Sequence, residues 1–370
     1  MRAWTHQTED MRSPLLIGAT VLALLAAGCG GGSDKAAAPA DEPASAGVGQ
    51  AASAGDDELG VSRAGWKTDF SRHTVSLSEF EGGGPGKDGI PAIDDPSFTD
   101  IGAAGTWLEA REPVLELELG GEARAYPLQI LIWHEITNDE VAGTPVAVTF
   151  CPLCNTAIVF DRRLRSRVLD FGTTGNLRNS DLVMYDRQTE SWWQQFGGEA
   201  VVGDLAGAKL VRVPARIVSW EDFTSAHPDG QVLDRPKTAD GSFERPYGQN
   251  PYAGYDDAGS PPFFGAAGSS DRRLLPKERV VFVDRGGEAV AIPFSALARR
   301  KTIEVEVGGE RLEVVWKPGA GSALDAGRVA DGREVGSAQV RTAEGGKPVA
   351  FDTPFWFAVA AFEPDVRIVR

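Results

Sequence analysis

The sequence predicts a mainly β protein with short helices, an α+β chain holding two related β modules that arose by internal duplication. Three observations predict it. Apolar residues alternate with polar ones over short runs, such as Val114, Leu115, Leu117 and Leu119, then Val280, Val281 and Val283, which is the period of a half-buried strand. Helical stretches are brief and open on proline. The chain also matches itself without a gap at an offset of 166 residues. Gly120-Gly-Glu-Ala-Arg-Ala-Tyr-Pro-Leu128 faces Gly286-Gly-Glu-Ala-Val-Ala-Ile-Pro-Phe294, and Leu131, Val141, Gly143, Val148, Pro152 and Asp186 face Leu297, Val307, Gly309, Val314, Pro318 and Asp352. One register held that long is the mark of a repeat.

In chain order, residues 1–29 have the layout of a lipoprotein signal peptide. Arg12 precedes an apolar run from Leu15 to Ala27, and Leu25-Ala-Ala-Gly leads into Cys29, the expected lipidation site. The run is shorter than the ~20 residues of a spanning helix. Residues 30–60 contain no large hydrophobe except Val48 and Leu59 and read as a flexible tether. The first module is expected over 61–226. A Gly-Gly turn joins its first two strands, Pro127 opens a helix over 128–134 where proline costs nothing, and a hairpin follows over 141–150. The segment 227–274, rich in Pro, Gly, Asp and Tyr, reads as an irregular connector, a lid or docking loop. The second, degenerate module covers 275–370.

The net charge of −16 argues against a nucleic-acid partner, because a phosphate backbone demands a basic patch. The glycines over 171–195 lack dinucleotide-binding spacing, and no Gly-x-Ser-x-Gly elbow suggests a hydrolase. The expected location is the cell envelope, outside the cytoplasm, with attachment to a membrane through lipid alone. No protein or envelope partner is identified by sequence.

Of three cysteines, lipidation takes Cys29, which leaves Cys151 and Cys154 as a local pair in Phe150-Cys-Pro-Leu-Cys-Asn-Thr-Ala-Ile-Val-Phe160. The residues that follow are strand-like, so the pair falls in a hairpin turn instead of at the helix N-terminus that activates a thioredoxin-type thiol. This is the shape of a metal knuckle, two thiolates facing one ion. Only one knuckle is present, so a third ligand must come from elsewhere. The candidate is His134, seventeen residues upstream, and imidazole plus two thiolates suits zinc or copper(I). Glu135 is a candidate supporting group. In the second module Lys317, Ala320 and Arg300 replace Cys151, Cys154 and His134, so only the first carries chemistry.

A second cluster, Phe171 to Gln195, places Asn176, Asn179, Asp181 and Asp186 near Trp192 and Trp193. These residues, with Asn155, can support the site or line a pocket. Asp186 with Thr189 is also a turn fixed by side-chain hydrogen bonds. On a strand the two tryptophans point to opposite faces, one toward the core and the other toward the surface or a pocket.

Gly83-Gly-Pro-Gly-Lys-Asp-Gly-Ile-Pro-Ala-Ile-Asp-Asp-Pro96, Trp133-His-Glu-Ile-Thr-Asn138, Cys151-Pro-Leu-Cys154, Ser180-Asp-Leu-Val-Met-Tyr-Asp186 and Phe355-Trp-Phe357 together resemble the family carried as domain of unknown function 3179. The resemblance covers most of residues 80–370 and brings no reaction or cofactor. Asn155 replaces the glycine that the family usually has after the second cysteine. The leading expectation is a lipid-anchored protein that binds zinc or copper to handle or sense it. Two others stay open: a thiol–disulfide redox protein, and a module that binds envelope polymer or protein through Trp192 or Trp193. No catalytic residue is assigned.

Overall fold

Val114, Leu115 and Leu117 are fully buried on the strand Pro113–Leu119, which pairs antiparallel with Glu122–Pro127 across the Gly120-Gly121 turn. Both glycines have positive φ, 59° and 88°, a conformation they adopt without the Cβ penalty of other residues. Pro127 then caps the helix Leu128–His134. Glu135 ends it at φ 57°, and the antiparallel pair Ile136–Val141 and Thr144–Cys151 follows.

The same order recurs 166 residues later. Strands Val280–Arg285 and Glu288–Pro293, helix Phe294–Arg300, and strands Thr302–Val307 and Glu310–Lys317 follow one another. Lys301 repeats the backbone of Glu135, with φ 65°. After Lys317 the register changes. Helix Trp220–Ala226 and strand Gln231–Leu233 reappear 136 positions later as Trp356–Phe362 and Arg367–Ile368. Each short strand joins its sheet in parallel, beside Glu122–Pro127 and Glu288–Pro293 respectively. The gapless match therefore does not extend to Asp186 and Asp352. At the new offset Asp352 corresponds to Arg216, and the excess length of the first half lies in strands between Phe171 and Val202.

This computed structural model describes residues 59–370. They form a mainly β assembly with few short helices, arranged like a propeller of five blades. The signal peptide, Cys29 and nearly all of the expected tether lie outside the described residues. Among the described residues no helix is long and apolar enough to cross a membrane. One large core joins both halves, because Val280, Phe282, Phe355 and Trp356 pack with Phe150, Phe160 and Phe171. A second core, around Ile303, Leu312 and Val340, belongs to the later half alone.

Of the two tryptophans, expected one in the core and the other at the surface or a pocket, neither lies at the surface. Trp192 and Trp193 do face opposite sides of their strand, yet both are fully buried. Trp193 packs on Phe171, and its Nε1–H donates to Asp186 Oδ2 at 2.9 Å. Trp192 is enclosed by Trp66, Phe70 and Phe80, each edge-on with centroids 5.2 Å away. Leu59, assigned to the tether, is buried in the same cluster. The segment before the first blade covers a sheet face that alternation alone would leave to solvent.

Candidate metal centre

Strands Thr144–Cys151 and Thr156–Asp161 pair up to Cys151 opposite Thr156, so Pro152–Asn155 is the expected hairpin loop. Asn155 sits at φ 56°, where asparagine is the usual substitute for glycine. Its amide does further work: Nδ2 donates to Thr353 O at 2.7 Å, and Oδ1 accepts from Arg279 at 2.8 Å. The knuckle is thereby tied to the later half, as it is by Phe355 N–H donating to Cys154 O at 2.9 Å. Asn155 thus supports the loop, and it also lines a small cavity with Leu128, Arg279 and Thr353.

Asp181 arrives from another hairpin. Asn179 and Ser180 both have positive φ, 55° and 59°, and make a two-residue turn of the kind that suits twisted strands. The turn delivers Asp181 as the first residue of the strand Asp181–Asp186. One carboxylate oxygen accepts from Phe196 N–H at 2.9 Å and from the Gln194 amide. The other accepts from the Cys154 thiol at 2.8 Å. Ligand atoms of Cys151, Cys154 and Asp181 all lie within 4.8 Å of one another, and all three residues are buried. Both thiols are free. Thr156 lies 3.0 Å from Cys154 Sγ and donates to Gln195 at 2.7 Å, which in turn donates to Thr149. Such outer hydrogen bonds fix the orientation of a ligand set.

The electrostatics are those of acids confined together. Burial pushes the Cys151 thiol up and the Cys154 thiol well up, and the Asp181 carboxylate strengthens both effects. Burial raises Asp181 itself and lifts Glu135 to about 8, with Asp181 adding to the shift. No described Lys or Arg forms a salt bridge to these four groups.

His134 is not among them. Its Nδ1–H donates to Pro91 O at 2.8 Å and its Nε2 accepts from Tyr247 at 2.7 Å, while burial lowers its pKa and favours this neutral ring. Asp181 stands in the place anticipated for His134. His134→Gln is expected to leave metal content unchanged while destabilising the fold by about 1–3 kcal/mol, since Pro91 or Tyr247 loses a buried partner. Elemental analysis and urea unfolding check the two halves of that statement.

Asp186, Asn179 and Asn176 are not part of the Cys151–Cys154–Asp181 group. Asp186 accepts from Thr189 N–H at 2.7 Å and from the Thr189 hydroxyl, fixing its turn. Asn179 Oδ1 accepts from Ala267 N–H at 3.0 Å. Asn176 is half-buried on the strand Phe171–Arg178, opposite Gly82. The connector supplies groups that sequence reasoning missed. Tyr255 donates to Leu153 O at 2.8 Å inside the knuckle, and Tyr252 interacts electrostatically with Glu135 and Cys151. Clustered tyrosines in a Pro/Gly-rich segment were the available signal.

Asp352 lies just behind the knuckle. Its Oδ1 accepts from Ala157 N–H at 3.0 Å and Thr353 N–H at 2.7 Å, and its Oδ2 is buried without a partner. Burial lifts it from 3.8 to about 6. The folded state holds this proton more tightly than the unfolded chain, so Asp352 lowers stability as pH rises from 4 through 6. Asp352→Asn keeps an acceptor at Oδ1 and removes the charge. It is expected to unfold with a free energy higher by about 1–3 kcal/mol at pH 7 and unchanged at pH 4, as measured by urea titration at both values.

A family model described as a protein of unknown function (DUF3179) matches residues 87–366. No curated protein and no solved structure matches the chain.

Proposed function

The chain belongs to the DUF3179 family, whose description names no activity, and we propose that its centre holds one divalent transition metal through Cys151, Cys154 and Asp181. The observation that carries this reading is the approach of three buried ligand atoms to within 4.8 Å. Confining so many acids costs free energy that a divalent cation offsets. A carboxylate beside two thiolates favours zinc over copper(I), because copper(I) selects soft sulfur and zinc accepts oxygen, nitrogen and sulfur alike. The metal is handled or sensed by a protein anchored to a membrane outside the cytoplasm through Cys29. The two matching halves are then products of a duplication in which the earlier copy kept the ligands. Where Cys151 stands, the later copy has an exposed lysine, Lys317, paired with Asp222.

The thiol–disulfide alternative draws support from the closeness of the two sulfurs. Their raised pKa values speak against it, since the thiolate is the reactive form. The envelope-polymer alternative loses its stacking platform with the burial of both tryptophans. The test is elemental analysis of the full-length chain purified anaerobically. About one zinc per chain supports the proposal, and a metal-free protein with intact thiols sinks it.

A further inference from the structure

We propose that Arg279 is a positioning residue for the centre: acting through Asn155, it holds the knuckle in the shape that keeps both thiols on the ion, and so sets how fast the ion is released. This rests on the metal reading above.

The three ligands are held from two sides. Asp181 has its supports in the earlier half, where Phe196 N–H and the Gln194 amide bind its far oxygen. The loop that carries the thiols is gripped from the connector and the later half. Tyr255 donates to Leu153 O at 2.8 Å, Phe355 N–H to Cys154 O at 2.9 Å, and Ala157 N–H to Asp352 Oδ1 at 3.0 Å. Between these contacts the Asn155 amide donates to Thr353 O at 2.7 Å and accepts from Arg279 at 2.8 Å. The centre therefore straddles a seam, and a loop that slipped along it would carry both sulfurs away from Asp181.

Arg279 is itself fixed. Its second terminal nitrogen donates to Asp256 Oδ2 and to Ser322 Oγ, both at 2.8 Å. Arg333 takes the other oxygen of Asp256 at 2.7 Å, and the Asp256 side chain is fully covered. The Arg279 guanidinium carbon lies 5.3 Å from the Phe355 ring centroid, so it also packs on the residue that binds Cys154 O. The cavity lined by Asn155, Arg279 and Thr353 measures about 10 Å³, room for no more than one water. The loop has little slack on that side.

The seam does more than hold the fold together. Asn155 stands at φ 56°, where a glycine would meet no steric penalty. The backbone needs no amide there, whereas the seam uses both of its polar atoms. Asp352 reaches Ala157 while its Oδ2 stays buried without a partner. An asparagine would make the same contact without burying a charge, so stability alone does not account for the seam.

The test follows zinc leaving the anaerobically loaded full-length chain for an excess of chromogenic chelator. Asn155→Gly keeps the left-handed turn and removes both side-chain bonds. Arg279→Lys keeps a cation beside Asp256 and loses the fork that reaches Asn155. Each is expected to bind one zinc and to release it about ten- to hundredfold faster than wild type, the usual effect of losing a group that orients a ligand set. Because Arg279 acts through Asn155, the double variant should release zinc no faster than the faster single variant, a non-additive cycle. Trp192→Ala, destabilised in a separate core cluster, should release zinc at the wild-type rate. A wild-type rate in either single variant overturns the proposal, as does a double variant whose acceleration is the product of the two. Release that quickens in Trp192→Ala in proportion to its lost stability also overturns it, since zinc loss would then follow unfolding of the chain. Wild type that takes up no zinc removes the metal reading itself, a result distinct from the others.

Discussion

Changing Cys151 and Cys154 together to serine is expected to reduce bound zinc from about one equivalent to none, and to erase any dependence of thermal stability on chelator. The two sulfurs are the only thiols among the described residues, and a serine hydroxyl is a far weaker ligand than a thiolate. Asp181→Asn should have a smaller effect of the same sign. An amide at that position still accepts from Phe196 N–H but brings no negative charge to the ion. Binding of a ligand to the folded state alone stabilises it by about 4 kcal/mol when the ligand stands at a thousand times its Kd. Stripping zinc from wild type should therefore lower Tm by several degrees, whereas the double variant should unfold at one temperature with or without chelator. The pH dependence has a definite sign. Burial raises both thiols, so loading the site expels protons and apparent affinity rises with pH. Wild-type zinc content that survives the double substitution would locate the metal elsewhere and end the proposal.

The parts of this site differ in how far sequence exposes them. The knuckle was legible because everything that makes it is local: two strand-like runs, a Cys-Pro-Leu-Cys turn, and a residue tolerant of positive φ. The strand, turn and helix order of the two halves was legible for the same reason, through Gly-Gly turns and prolines at helix starts. Asp181 was legible only as a pocket candidate. It comes from a separate hairpin 27 residues beyond Cys154, and no spacing rule links the two. The substitution of Asp181 for His134 has a local cause. The helix Leu128–His134 ends with both ring nitrogens of His134 engaged by Pro91 and Tyr247, and the chain leaves the helix through the left-handed residue Glu135. A histidine at a helix end reads as a ligand until the next φ angle is known. The connector was legible as irregular, while the destination of Tyr252 and Tyr255 depends on tertiary packing that composition does not encode.

Trp192→Ala is expected to cost about 3–5 kcal/mol of stability, the range for removing a large aromatic side chain from a core. The ring is fully buried and meets Trp66, Phe70 and Phe80 edge-on, contacts worth more than their area alone. Its indole N–H has no partner, so truncation orphans no acceptor and the loss is one of packing. The cavity would sit between the sheet and the covering segment from Leu59 to Phe80, which the same cluster holds in place. That segment should then detach first, with faster amide exchange over residues 59–80 than around the knuckle. Cys151 and Cys154 lie on the other side of the sheet, with Trp193, Phe171 and Phe150 in the main core. Zinc content should accordingly stay near one equivalent below the unfolding transition, while urea unfolding moves to markedly lower denaturant. A variant as stable as wild type would mean that Trp192 is solvent-facing after all. It would return this ring to the list of binding surfaces.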